Sequence, residues 1–279
     1  IAKINIEKAN NAWFQSRYQQ AFELLNQVLQ EAREQNWPLI EVIARNTSGL
    51  TWWSLGNNDR AVRELQRALK QSRTLDIRED EVASTLNNLG LVQREMGKFQ
   101  EALKTLNQAL KKNKKIKSSW AIAYDLKNIA LTRLRLDQPY EALPLLEQAL
   151  STATDIGNRI NIAKIQLALG KCHQKMQNPQ KARQAFNQAL TISESLFLPE
   201  VTWRALYGLA LLDINAQELQ QAKKLLINSL EVIEDMRADI KIEQLRDSFI
   251  TNKMQVYETL VGLYLMLDNP TQAFYTAER

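Results

Sequence analysis

This 279-residue chain is poor in the residues that most active sites need: it has one cysteine, Cys172, and one histidine, His173. A single thiol excludes an intramolecular disulfide framework and gives no reason for an oxidising compartment, so a cytoplasmic location is the expectation. One His beside one Cys falls short of the three or four clustered ligands that zinc requires. Neighbours on a helix also point about 100° apart, which denies a nucleophile and a base hydrogen-bond reach of each other. No Gly-rich phosphate loop is present, so the expectation is no metal, no cofactor, no catalytic residue and no enzyme activity in this stretch. No apolar run approaches the roughly 20 residues of a spanning helix, and no membrane partner is expected. Only 8 Gly and 6 Pro occur, while Ala, Leu, Gln, Lys and Glu abound, a composition of helices joined by short turns. The net charge of +5 favours acidic partners but is mild for a nucleic-acid binder.

What the chain does have is repetition. An alanine opening an apolar run returns at Ala21, Ala61, Ala102, Ala142, Ala182, Ala222 and Ala273, and five of the six intervals are 40 or 41 residues. Twelve residues before each anchor stands a small or modest side chain: Ala9, Gly49, Gly90, Ala130, Gly170, Ala210 and Val261. Seven residues after it comes Val28, Ala68, Ala109, Ala149, Ala189 or Ser229. Turn formers lie between the small site and the anchor, as in Gly56-Asn57-Asn58-Asp59, Gly97-Lys98, Asp137-Gln138-Pro139 and Gln177-Asn178-Pro179. Each unit therefore reads as helix, turn, helix, with Ala102, Leu103, Leu106, Ala109 and Leu110 forming one buried face of a second helix. Units that bury their faces against neighbours make a stacked array.

The small, apolar and alanine positions, here Leu89, Gly90, Ala102, Leu106 and Ala109, resemble the tetratricopeptide repeat over essentially the whole chain. That resemblance implies an all-α fold, a right-handed α-solenoid of helix-turn-helix repeats. The period departs from the family's usual 34 residues by about six. Gln93, His173 and Asp213 stand where the family places an aromatic in the first helix. Six repeats are expected over residues 1–236. The last interval, 51 residues, breaks the pattern, so 237–279 reads as linker or capping helices with an incomplete seventh repeat.

The segment from Arg237-Ala238-Asp239-Ile240 through Arg246-Asp247-Ser248-Phe249 to Val256-Tyr257-Glu258 resembles the stretch that leads into the protease-like module of CHAT proteins. That implies a caspase-like or separase-like domain, with its Cys-His pair, beyond Arg279. The start at Ile1 rather than Met and the end inside an apparent helix give the same expectation of a piece of a longer chain.

In arrays of the resembled kind the first helix of each pair lines the inner side. Positions 18, 15, 11, 8 and 7 residues before the anchors then give the candidate partner-binding residues. The first repeats offer Asn10, Trp13, Phe14, Asn46 and Trp53, with Asn87 in the third; later ones offer Arg94, Lys127, Arg135, Lys164, Lys171, Lys175 and Arg204 against one acid, Glu95. Such a row suits an extended protein or peptide segment bearing acidic residues: aromatics take apolar side chains, Asn46 and Asn87 hold the peptide backbone, and Lys and Arg pair with carboxylates. The alternatives are a structural spacer and a basic nucleic-acid-binding surface. The latter is disfavoured because the aromatics and the cations lie at opposite ends of the chain.

Three further signals are set aside. The run Lys111-Lys112-Asn113-Lys114-Lys115-Ile116-Lys117 reads as a solvated connector, having no interleaved aromatic. The glycosylation sequon Asn46-Thr47-Ser48 falls inside a helix. Trp52 and Trp53, being adjacent, cannot both face inward, and the sequence does not say which one does.

Overall fold

The computed structural model describes residues 2–241, 243–251 and 253–278, so Ile1, then Ile242 and Asn252 within the stretch that carries the C-terminal resemblance, and Arg279 after it, lie outside the described residues. Among the described residues the protein is all helix. Inner and outer helices alternate as α1 (Ala2–Phe14), α2 (Tyr18–Glu34), α3 (Pro38–Ser54), α4 (Asn58–Thr74), α5 (Glu79–Glu95), α6 (Phe99–Lys115), α7 (Ser119–Arg135) and α8 (Pro139–Asp155). The chain goes on with α9 (Arg159–Lys175), α10 (Pro179–Ser195), α11 (Pro199–Asn215) and α12 (Leu219–Ala238). The short α13 (Glu243–Thr251) precedes a last pair, α14 (Met254–Met266) and α15 (Pro270–Ala277).

The turns explain the period. A residue with positive φ follows each inner helix: Ser16 (60°), Gly56 (81°), Gly97 (76°), Asp137 (58°), Gln177 (55°), Gln217 (61°) and Asp268 (54°). The N–H of the residue after it reaches back five residues, as Asn57 does to the Trp52 carbonyl at 2.9 Å and Lys98 to that of Gln93 at 2.9 Å. This left-handed closure satisfies carbonyls that a helix end leaves bare. Pro38, Pro139, Pro179, Pro199 and Pro270 open helices at or beside the first position, where their missing N–H costs nothing. Asn57, Asn178 and Asn269 cap theirs by accepting from the N–H three residues on, at 3.1, 3.2 and 3.2 Å.

The chain forms two compact units, residues 1–161 and 162–279. Within the first, each helix packs on its sequence neighbours, and the inner helices α1, α3, α5 and α7 also touch one another in succession. Its core repeats with the sequence: the anchors Ala21, Ala61, Ala102 and Ala142 are sealed from solvent, as are Leu25, Leu65, Leu106 and Leu146 four residues on. A methyl added at Gly49 would meet Leu65 Cγ at 2.6 Å, and one at Gly90 would meet Leu106 Cγ at 2.6 Å. The small site is therefore the socket of the leucine across the helix pair.

The second unit fills the same socket with a ring. Phe186, fully buried, stands where the other repeats carry leucine. A methyl at Gly170 would lie 2.4 Å from its Cδ1, and one at Gly208 2.6 Å from its Cζ. Gly208 thus makes the extra room that a phenyl needs. The long C-terminal interval is accounted for by α13, which packs on α12 with Leu245 and Phe249 buried, while α14 follows as the next helix against α12.

Candidate functional site

The inner helices carry the candidate residues, and their packing sorts them. The position 15 before each anchor, occupied by Asn46, Asn87 and Lys127, lies in the seam between successive inner helices, where the three are 7%, 3% and 4% exposed. Asn88 Nδ2 donates to Asn46 Oδ1 at 2.8 Å, and Asn128 Nδ2 donates to Asn87 Oδ1 at 2.7 Å. Asn46 Nδ2 donates in turn to Ser84 Oγ at 3.0 Å. One repeat earlier, Thr47 Oγ1 donates to Asn10 Oδ1 at 3.1 Å. The expectation had Asn46 and Asn87 hold a peptide backbone; the structure turns both amides into rungs to the next inner helix, each accepting from and donating to it.

Asp125 sits at the foot of this ladder. It accepts from Asn87 Nδ2 and, at 2.7 Å, from Asn113 Nδ2. Burial pushes its carboxyl up to about 6, against the pull of the two amide bonds and of Lys127. The Lys127 ammonium lies over the Tyr124 ring, 3.7 Å from its centroid. Arg94, expected to face a partner, is 6% exposed and pairs with Glu95 at 2.9 Å. Arg94 and Lys127 are therefore buried rather than displayed. The partners Asn88, Asn113, Asn128 and Asp125 escaped the sequence reading, although the recurrence of amides from Asn46 to Asn87-Asn88 to Asn128 was the signal for them.

The remaining candidates are accessible. Trp13 is half-buried and donates from Nε1 to Ser54 Oγ at 2.9 Å, with the exposed Phe14 ring edge-on to it at 5.0 Å. Trp53 is half-buried, whereas Trp52 packs between helices against Phe22 at 4.8 Å and under Arg60 at 4.7 Å. That settles which of the two tryptophans is structural. Arg135 is exposed at the end of α7.

In the second unit Lys171 and Lys175 are exposed on α9, and Lys164 and Arg204 are half-buried. Arg204 stacks on the Trp203 ring at 4.4 Å and pairs with Glu200. The Trp203 indole N–H and Lys253 Nζ reach the same carboxylate at 3.1 and 3.5 Å. Burial pushes Lys164 down to about 8, with Glu200 opposing and Arg204 reinforcing the shift. Where the resembled pattern would place an aromatic, Asp213 is sealed from solvent and bound by Arg183 Nη2 at 2.6 Å. Cys172 is buried with its sulfur 4.0 Å from Met176 Sδ. Among the described residues no group of three or more His, Cys, Asp and Glu could hold a metal, and no helix is long and apolar enough to cross a membrane.

A family model described as tetratricopeptide repeat matches residues 39–115 and 121–195, together more than half of the chain. The chain belongs to the tetratricopeptide repeat family. No curated protein matches the sequence. Among solved structures, NprR in complex with its cognate peptide NprX shares 16% identity at a TM-score of 0.74, over 100% of this chain and 76% of that one. A Rap protein complexed with Competence and Sporulation Factor shares 15% identity at 0.70, covering 92% and 78%. The apo form of the quorum sensor NprR from B. thuringiensis shares 16% at 0.63, covering 100% and 86%. At such identities the likeness is one of fold, the all-α tetratricopeptide solenoid.

Proposed function

We propose that this tetratricopeptide repeat protein is a scaffold that binds a peptide or protein segment along its inner helices. The observation that carries the reading is the set of accessible aromatic and cationic side chains on the inner helices of each unit, with the seam beneath them in the first unit bridged by its own amides. Trp13, Phe14 and Trp53, with Asn10 beside them, form the apolar contact region of the first unit, and Arg135 supplies an exposed cation. Asn46, Asn87, Arg94 and Lys127 support that surface from below. In the second unit Lys164, Lys171, Lys175 and Arg204 supply the attraction for acidic residues. The fold shared with NprR, solved with its cognate peptide, and with Rap, solved with Competence and Sporulation Factor, supports a ligand held by the array.

The finer setting we infer is a cytoplasmic regulatory array within a larger CHAT protein, whose effector domain would respond to the occupied scaffold. It rests on the resemblance of the segment from Arg237 to Glu258 alone, and sequencing beyond residue 279 tests it: a following domain with a Cys-His pair supports it, and a stop codon removes it.

Peptides selected on the immobilised protein from a random displayed library test the scaffold reading. Trp53→Ala and Arg135→Glu should each weaken a selected peptide about tenfold, roughly 1.4 kcal/mol. Reversing Lys164, Lys171 and Lys175 together should weaken an acidic peptide without lowering helicity. A library that yields no saturable ligand points instead to a spacer. Tight binding to single-stranded nucleic acid that falls steeply with salt would favour the third reading.

A further inference from the structure

In the first unit the turns that join one helix pair to the next lie along one edge, and that edge is not simply polar. Trp37, Leu75, Ile116, Trp120 and Ile156 all stand exposed there, between 37% and 56%. The turns at the opposite edge, inside each pair, are built from residues such as Gly56-Asn57 and Gly97-Lys98 and bury Leu55. Cations surround the exposed apolar tips: residues 73–81 and 111–120, two successive turns, hold seven Lys and Arg against four acids. Lys112 and Lys115 share Glu79, at 3.6 and 3.1 Å, which ties the two turns together, and Arg78 pairs with Asp80. Arg73, Lys111, Lys114 and Lys117 are exposed and have no ion pair among the described residues, with Asp76 and the half-buried Glu81 as the acids left beside them. The lysine run that reads as a solvated connector in the sequence thus stands among exposed apolar side chains in the fold.

The tips of these turns carry a second signal. Their left-handed residue, fifteen after each anchor, is Asn36, Asp76, Lys117, Gly157 and, in the second unit taken by itself, Phe197, with φ of 54°, 49°, 55°, 64° and 52°. Asn, Asp and Gly accept that geometry, whereas Lys and Phe resist it. Lys117 is exposed and Phe197 is 79% exposed, so no packing repays the strain, and strain held at such a tip points to a role outside the fold.

Isolated aliphatic tips, tryptophans and unpaired lysines together suit one class of partner. A folded protein would need a surface matched to them, and nucleic acid, held through phosphates and stacking, would leave Leu75, Ile116 and Ile156 idle. A bilayer surface takes apolar tips of any shape, holds Trp at its headgroup level and draws lysines to anionic lipid. We propose that the pair-to-pair turns of the first unit, centred on Ile116, Lys117 and Trp120, dock on an anionic lipid surface. Such docking lies in the interface and needs no spanning helix, so the lack of an apolar span, which gave the expectation of no membrane partner, does not bear on it. The site goes beyond the scaffold reading and uses none of its inner-helix residues.

The whole chain is sedimented with vesicles of phosphatidylcholine, with and without about 30% phosphatidylserine, at low and at high salt. Binding should require phosphatidylserine and weaken as salt rises. Ile116→Asp and Trp120→Asp should each weaken it about tenfold, by removing an inserting group and adding a repelled charge. Tyr140→Asp, at the opposite edge and 75% exposed, should leave it unchanged. Lys117→Gly should weaken binding about fivefold while raising the melting temperature, a pairing that no folding defect produces. Absence of binding to the anionic vesicles, equal binding to both vesicle types, binding that survives Ile116→Asp and Trp120→Asp, an equal loss in Tyr140→Asp, or a Lys117→Gly chain that binds as the parent does overturns the proposal. Single-stranded RNA that binds more tightly than the vesicles and is indifferent to Ile116→Asp gives the edge to nucleic acid and overturns it as well. Trp53→Ala and Arg135→Glu, which test the scaffold, should not change vesicle binding, so either reading can fail while the other stands.

Discussion

The socket around Phe186 makes a prediction in which two harmful substitutions should cancel. The ring tip fits only because Gly208 lacks a side chain: a methyl there would stand 2.6 Å from Cζ and 2.8 Å from Cε1 and Cε2. Gly208→Ala alone should cost about 1–3 kcal/mol by overpacking, less about 1 kcal/mol regained because Ala is the better helix former. Phe186→Leu alone shortens a fully buried side chain and should cost about 1–2 kcal/mol through the void it leaves. In the double variant the methyl introduced at position 208 enters that void, so stability should return to within about 1 kcal/mol of the parent, a coupling of about 1–2 kcal/mol. Urea unfolding followed by far-UV circular dichroism gives the four stabilities, and amide exchange in α11 shows whether the change is local, as nearest-neighbour arrays require. Single effects that add in the double variant to within about 0.5 kcal/mol would refute the steric account.

Three other expectations follow from buried charge and backbone geometry. Arg183→Met strands the sealed Asp213 carboxylate and should cost about 2–4 kcal/mol, less than for a wholly buried pair because the Arg183 side chain is 41% exposed; adding Asp213→Leu should recover most of it in thermal melts. Asp125, raised from 3.8 to about 6 by burial, favours the folded state while protonated, so its contribution is full below its unfolded value and is lost as pH rises to the folded one. Stability should therefore fall between about pH 4 and 6 by on the order of 2 kcal/mol relative to Asp125→Asn, which lacks this limb; a parallel limb in the variant would place the titration elsewhere. Phe197 has φ of 52° and is 79% exposed. Phe197→Gly should raise stability by about 0.5–1 kcal/mol, and a loss would mean that the ring has contacts worth more than its strain.

Much of this architecture is legible in the sequence because the repeat encodes it redundantly. The anchoring alanines, the leucines four residues on and the small sites twelve residues before are one contact seen from both sides, and the turn formers between them are the left-handed residues of the helix ends. Gly208 was not legible. It lies off the repeating small site, at the place of Asn88 and Asn128 in earlier repeats, and acquires its reason only once Phe186 is known to point at it. Nor was Trp52 separable from Trp53, since adjacent positions differ by a rotation that only the Phe22 contact resolves.

The candidate surface was half legible, for a geometric reason. Positions 18, 15 and 11 before the anchor form one stripe on an inner helix, and a helical wheel cannot say whether the middle of that stripe faces a ligand or the next helix. The neighbour decides: where α3, α5 and α7 close on one another, the middle row becomes the seam. Amides suit such a seam because one side chain can both accept from and donate to the next inner helix, as Asn46 does with Asn88 and Ser84 and Asn87 does with Asn128 and Asp125, and a slip of one helix against the next would leave such groups buried and unpaired, at about 1–3 kcal/mol each. The row ends at Lys127, whose ammonium cannot accept, and at the following donor position the sequence carries Ala168. Polar rungs therefore fix the register of the inner helices in the first unit, and the side chains on either flank of the rungs, not the rungs themselves, are left to meet a partner.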